Sequence, residues 1–279
     1  MTIVSVGCQL RYEVTTPATF LFNVAAARTP HQNLLNEAFF LTPDTRYEEC
    51  GTGSEINRVF RLSVQPGELS VTYEANVELQ PTVEDPPQVQ EAQFPALPPE
   101  VLPYVNPSRY CESDRLIRLA NQEFGELLPG YSRVTAICNW TYDHLQYQGG
   151  SSDAHTTACD VLVQRAGVCR DYAHLAIALC RALCIPARYV SGYAMGLAPP
   201  DFHGFFEAYL GNRWYLFDAT RMVPVNGLVR IGSGRDASDV AFATIFGLAQ
   251  MQEISVWAKD GTPEPAAGKT PPDAAISTA

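Results

Sequence analysis

Positive charge is scarce in this chain. Lys and Arg number 19 against 30 Asp and Glu, which leaves a formal net charge of −11 and a pI near 4.9. No basic stripe exists to neutralise phosphates, so nucleic acid is not an expected partner. The same deficit argues against docking on an anionic membrane surface. Long apolar runs are missing as well: none approaches the roughly 20 residues that span a bilayer. The opening stretch Met1–Val14 has no basic segment ahead of an apolar one, and Arg11 interrupts it early. No signal peptide is expected, and the expected compartment is the cytoplasm. The chain shows no internal repeat. It also lacks a cluster with metal-ligand spacing, so neither a metal nor another cofactor is expected.

What is present is enough apolar material for a proper core. Of 279 residues, 46% are hydrophobic and 18% charged, which excludes wholesale disorder and makes two domains the starting assumption. Residues 1–80 read as an N-terminal β domain. Period-two alternation recurs at 9–14, 19–24, 58–64 and 69–75, and Pro66-Gly67 separates the last two runs as a turn. Short strands with one polar face predict an antiparallel sandwich. Eight prolines crowd residues 81–107 and forbid a helix or central strand there, so 81–103 reads as a linker.

Beyond it, the pattern changes. Apolar positions at helical spacing follow Ser113, Ser132, Thr157 and Gly167. Strand-like runs then cover 187–193, 204–210 and 213–218, the last two joined by a tight Gly211-Asn212 hairpin. Helices followed by an antiparallel sheet predict an α+β domain over 104–260. Residues 261–279, rich in Pro, Ala, Gly and Thr, read as a disordered tail.

Eight cysteines fit no disulfide framework in a chain of this size without an expected leader, and most read as buried apolar thiols. Cys169 differs. Gly167 permits a tight approach just before a helix, which puts Cys169 in the first turn. Unpaired N–H groups and the positive end of the helix dipole stabilise a thiolate there, as a nucleophile requires. Cys180 and Cys184, deep in the same helix, lack this setting.

Such a nucleophile needs a histidine base and a group that orients it. His174 lies five residues along the same helix, roughly 140° off the face of Cys169, and reads as structural. His144 and His155 flank a Gly-Gly-Ser-Ser loop, with nothing tying them to an acid. In a hairpin about Gly211-Asn212, position 203 pairs near position 220, so His203 and Asp218 become cross-strand neighbours. Glu207 is a rival carboxylate but lies too far along the strand. Arg170, Asp171, Arg235, Asp236 and Asp239 read either as cleft residues or as structural ion pairs.

Three ordered blocks carry a resemblance: Ala166 to Leu175, Ile185 to Tyr193, and His203 through Trp214 to Thr220. They resemble the transglutaminase-like superfamily, in its bacterial transglutaminase-like cysteine protease branch. Segments 104–116 and 234–241 resemble that branch too. The resemblance implies a papain-like or transglutaminase-like core and a Cys–His–Asp triad at Cys169, His203 and Asp218. It implies acyl transfer on a peptide or protein substrate through a thioester, with hydrolysis expected. Amine acceptance and a catalytically idle scaffold are the alternatives. The chain departs from the pattern in three places. Gly204-Phe205 replaces Ala-Trp, Ala219 replaces the proline after the aspartate, and Cys184 replaces a glycine.

Overall fold

The computed structural model describes residues 2–52, 54–262 and 274–279. The alternating N-terminal sequence forms β1 (Thr2–Val14), β2 (Ala18–Phe22), β3 (Gln32–Thr42), β4 (Tyr47–Thr52), β5 (Ser54–Val64), β6 (Gly67–Leu79) and β7 (Thr82–Glu84). Next come α1 (Ile117–Phe124), α2 (Tyr131–His144), β8 (Gln146–Tyr147), α3 (Ala158–Gln164), β9 (Ala166–Gly167) and α4 (Cys169–Ala182). The chain continues with β10 (Ala187–Ala194), β11 (Phe202–Leu210), β12 (Arg213–Phe217), β13 (Leu228–Gly234), β14 (Ala243–Phe246), β15 (Ala249–Asp260) and β16 (Ala275–Ser277).

Two four-stranded antiparallel sheets, ordered β15-β1-β6-β3 and β14-β2-β5-β4, face each other as a sandwich. Their inward residues, among them Leu10, Phe20, Phe22, Leu62 and Val71, form one core. In β1, β2 and β6 the period-two pattern thus buries one face of the strand and turns the other outward.

The domain boundaries drawn from sequence need correction at their C-terminal side. Residues 243–260 do not close the α+β domain. Strand β15 pairs antiparallel with β1 from Val4 to Val14, and β14 pairs with β2. Strand β15 is an edge strand on which Val256 alone is buried, so it lacks the alternation that marks β1, β2 and β6. Of the expected tail, residues 263–273 lie outside the described residues. Residues 275–277 are ordered instead: β16 is buried and pairs with β7. The composition of the tail hides a three-residue strand whose partner sits in the proline-rich stretch. That stretch contains no α-helix, as its prolines dictate, but it is more than a connector. Short 3-10 turns tuck Val89, Leu97 and Val101 into the protein.

In the α+β domain, a third antiparallel sheet runs β12-β11-β10-β13, with α4 packed on it. Helix α4 is buried from Asp171 to Ala182. Helix α3 begins one residue after Thr157, which caps it by accepting from the Asp160 N–H. Helix α2 begins one residue before Ser132, capped by Gly130, and Ser113 opens a 3-10 turn rather than α1. Gly211 and Asn212 both have positive φ, the geometry a two-residue hairpin demands. Cys184 also sits at φ +62°, which explains why glycine is the usual residue there.

The two domains share a core. Tyr193, Val229 and Ile231 of the catalytic sheet reach into the sandwich. The Gln32 side chain donates to the Arg230 carbonyl at 2.9 Å, and the Asn57 side chain donates to the Ser233 carbonyl at 2.7 Å.

Candidate active site

Cys169 is the first residue of α4. The local sequence explains its position. A Cβ on Gly167 would lie 2.7 Å from the Asp171 Cβ, so only glycine lets the chain pass so close to the helix it is about to enter. Asp171, fully buried, accepts from the Val168 N–H at 2.8 Å and from the Ser152 hydroxyl at 2.6 Å. The aspartate therefore caps the helix from its third position, leaving the Cys169 end beside the positive dipole. The parallel pair β8–β9 sets Tyr147 opposite Gly167. This brings the Tyr147 phenol near Cys169. Burial first, and the neighbouring thiol next, push this phenol up to about 12.

His203 and Asp218 come together as the hairpin register requires. Phe206 pairs with Phe217, so the strands converge on His203 and Asp218 just beyond the last paired residues. His203 Nε2 lies 3.2 Å from Asp218 Oδ2, and both side chains are buried. Asp218 is itself held. The Thr220 hydroxyl and N–H donate to Oδ1 at 2.7 and 2.9 Å, and the Val223 N–H donates to Oδ2 at 3.4 Å. With Nε2 taken by Asp218, Nδ1 is the imidazole nitrogen left for the thiol. Burial opposes the charged imidazolium of His203, but Asp218 and Cys169 outweigh it and push its pKa up to about 9. Thr220 was missed as a functional residue in the sequence; the Asp-x-Thr spacing of a short side-chain turn was its signal.

The other candidates are placed elsewhere. His174 is buried and accepts from the Ala237 N–H through Nε2 at 3.1 Å, with its ring stacked 5.0 Å from Tyr110. Burial drives its pKa down to about 3, so it is a neutral structural histidine that braces two cleft-wall residues. His144 stacks on Trp140, and His155 is exposed; neither lines the cavity. Burial raises the thiols of Cys8, Cys111, Cys138 and Cys180 above the ordinary range, making them poor nucleophiles. Glu207 holds Arg188 and Arg230 in a buried network rather than orienting His203. Asp236 caps the 237–239 turn and accepts from the Tyr110 N–H, whereas Arg235 and Asp239 pair at the surface.

Cys169 and His203 share a cavity of about 540 Å³. Its walls come from both domains: Tyr110, Arg170 and Tyr189 on one side, Asn23 and Phe242 on the other. A thiol and an imidazole on one cavity, with a fixed carboxylate behind the imidazole, are the parts nucleophilic catalysis requires.

Comparison with known proteins agrees with this architecture. The family described as the transglutaminase-like superfamily core matches residues 118–219, and the N-terminal domain of bacterial transglutaminase matches residues 3–94. A candidate cysteine protease from Cytophaga hutchinsonii, known as a crystal structure, is 43% identical with a TM-score of 0.94. The match covers 99% of this chain and 97% of that one. An uncharacterized protein of Mycobacterium leprae is 28% identical over 247 residues, covering 82% of this chain and 88% of the relative. A Mycobacterium tuberculosis protein is 32% identical over 114 residues, or 36% of each chain.

Proposed function

The chain belongs to the transglutaminase-like superfamily, and on that premise we propose that it is a cysteine-dependent acyl-transfer enzyme acting on peptide or protein amides. The observation that carries this reading is His203, bonded to Asp218 on one nitrogen and sharing the cavity of Cys169 with the other free. In the first half-reaction, His203 Nδ1 takes the proton of Cys169, and Sγ attacks the substrate carbonyl. The leaving amine takes that proton as the C–N bond breaks, and a thioester remains. Asp218 stabilises the imidazolium between these steps. The oxyanion lies at the N-terminus of α4, where the Cys169 N–H is a donor. In the second half-reaction, His203 takes a proton from water, the oxygen attacks the thioester, and the thiol is restored. The product is then a carboxylic acid, as in a protease or amidase. A primary amine in place of water gives transglutamination by the same steps.

Incubation of the purified chain with pooled peptides and amines, read by mass spectrometry, tests the reading. Hydrolysed peptides are the expected products, and the Cys169→Ala variant is expected to form none. Amine adducts alone would assign a transferase. Products undiminished in the Cys169→Ala variant would overturn the assignment of the nucleophile.

A further inference from the structure

The cavity that holds Cys169 and His203 continues to a polar end that the acyl-transfer steps do not use. Asn23 and Ser191 line it, 3% and 9% exposed. The Asn23 Nδ2 and Oδ1 atoms and the Ser191 Oγ atom are buried without a hydrogen-bond partner. Buried polar atoms are ordinarily paired, so these three are hydrogen-bonding capacity left open beside a cavity. Ser191 stands on β10 between Gly204 on β11 and Gly232 on β13. Neither neighbour carries a side chain; Tyr189 closes on Gly204 and Asn57 on Gly232 instead, and none of them gives the Ser191 hydroxyl a hydrogen-bond partner. A Cβ on Gly232 would lie 2.8 Å from Asn57 Oδ1 and 3.2 Å from Asn23 Nδ2, so the glycine gives two asparagines of the sandwich room against this sheet. Asn23 is fixed from behind, its N–H donating to the Phe242 carbonyl at 3.0 Å. Phe202 and Phe242, stacked at 5.1 Å, supply an apolar wall.

We infer that Asn23 and Ser191 form a subsite for a second, non-reacting amide of the acyl-donor substrate, completed across the domain boundary by the sandwich. The inference rests on the acyl-transfer reading of Cys169 and names what that site selects. The ligand class follows from the donor and acceptor inventory. A carboxylate would satisfy the Asn23 Nδ2 donor and leave Oδ1 without one. An ammonium would do the reverse. An amide presents both an N–H and a C=O, and the Ser191 hydroxyl serves either. The amide is a main-chain peptide unit or a side-chain carboxamide, and the test separates the two.

The experiment measures inactivation of the full chain by chloromethyl ketones, following Cys169 by mass spectrometry. One probe is acetyl-trialanyl chloromethyl ketone. A second carries an alkyl chain of equal length without amides. A third is the trialanyl probe N-methylated at each peptide nitrogen, and a fourth is the alkyl probe ending in a carboxamide. Each rate constant is divided by that for methyl methanethiosulfonate, which has no amide, so the ratio reports the subsite apart from the reactivity of the thiol. The wild-type ratio is expected to favour an amide-bearing probe over the alkyl probe by about 10-fold or more. Asn23→Leu and Ser191→Ala are expected to erase most of that preference. A preference lost on N-methylation assigns the main chain; one kept by the alkyl carboxamide assigns a side chain. Equal ratios for all four probes in the wild type, or an unchanged preference in the variants, would overturn the subsite while leaving the nucleophile intact. If Asn23→Leu fails to fold, Ser191→Ala decides alone. A Cys169 no faster than exposed Cys184 toward every reagent would overturn the acyl-transfer reading, and the subsite with it.

Discussion

Strand β11 carries two buried acid–base groupings, one at His203 and one at Glu207, and their chemistry diverges within four residues. Glu207 is enclosed by guanidiniums. Arg188 Nε donates to it at 2.7 Å, and Arg230 donates through both terminal nitrogens. Arg188 also lies over the Trp214 ring at 4.2 Å, and Arg230 donates to the Thr278 hydroxyl at 3.0 Å. One carboxylate is shared between two guanidiniums, and each guanidinium is hydrogen-bonded to it. His203 has a single carboxylate, a free second nitrogen and a cavity beside it. A closed set of permanent charges fixes structure. A titratable base with one partner and open space beside it is equipped to move a proton.

The sharpest way to break this contrast is Asp218→Asn. The amide keeps the shape but no longer stabilises the imidazolium, and turnover is expected to fall by about 10^3- to 10^4-fold. The pH profile carries the more specific test. The protonated imidazole is the acid the leaving amine needs, so kcat/KM is expected to persist below about pH 9 and to decline above it. Removing the carboxylate that favours the charged form moves this decline to lower pH. An alkaline limb left in place by Asp218→Asn would show that Asp218 does not set the proton affinity of His203.

Glu207→Gln probes the other cluster, and its effect belongs to stability. Removing one partner of a buried ion network leaves two guanidiniums uncompensated, and roughly 3–5 kcal/mol is the expected loss in denaturant unfolding at neutral pH. Burial alone would raise the Glu207 pKa, but Arg188 and Arg230 hold it at about 2 against an ordinary 4.5. Its contribution is therefore complete above pH 4.5 and is lost as pH falls toward 2. The gap between wild type and Glu207→Gln is expected to narrow over that interval. A constant gap would show that the network is not held by charge.

Much of this site was legible because it is built from short-range geometry. A two-residue hairpin fixes its register, so His203 and Asp218 could be paired by counting outward from Gly211-Asn212. Gly167 before a helix likewise placed Cys169. What stayed hidden depends on pairings far apart in the chain. Strand β15 finds β1, and β16 finds β7, across separations that no local pattern encodes. The edge position of β15 removes even the burial alternation that would have identified it as part of the sandwich. Asn23 was hidden for the same reason: its role exists only where β13 passes beneath it.

Gly204 offers the finest adjustment, because it is a departure from the family pattern that the structure explains. The family places alanine after the histidine. In this chain a Cβ at 204 would lie 2.6 Å from the Tyr189 hydroxyl and 3.2 Å from the Arg170 nitrogen. The tyrosine occupies the volume the usual alanine would take, and both contacts lie next to the catalytic groups. Gly204→Ala is expected to cost about 1–3 kcal/mol through this overlap. It is also expected to slow turnover, because the Arg170 nitrogen belongs to the first turn of α4, adjacent to Cys169. Tyr189→Phe removes the oxygen that clashes. The double variant is expected to recover most of the lost stability, with a coupling energy of about 1 kcal/mol or more between the two positions. Additive losses would mean that Tyr189 and Gly204 do not share this volume, and that the glycine serves the approach of α4 to β11 alone.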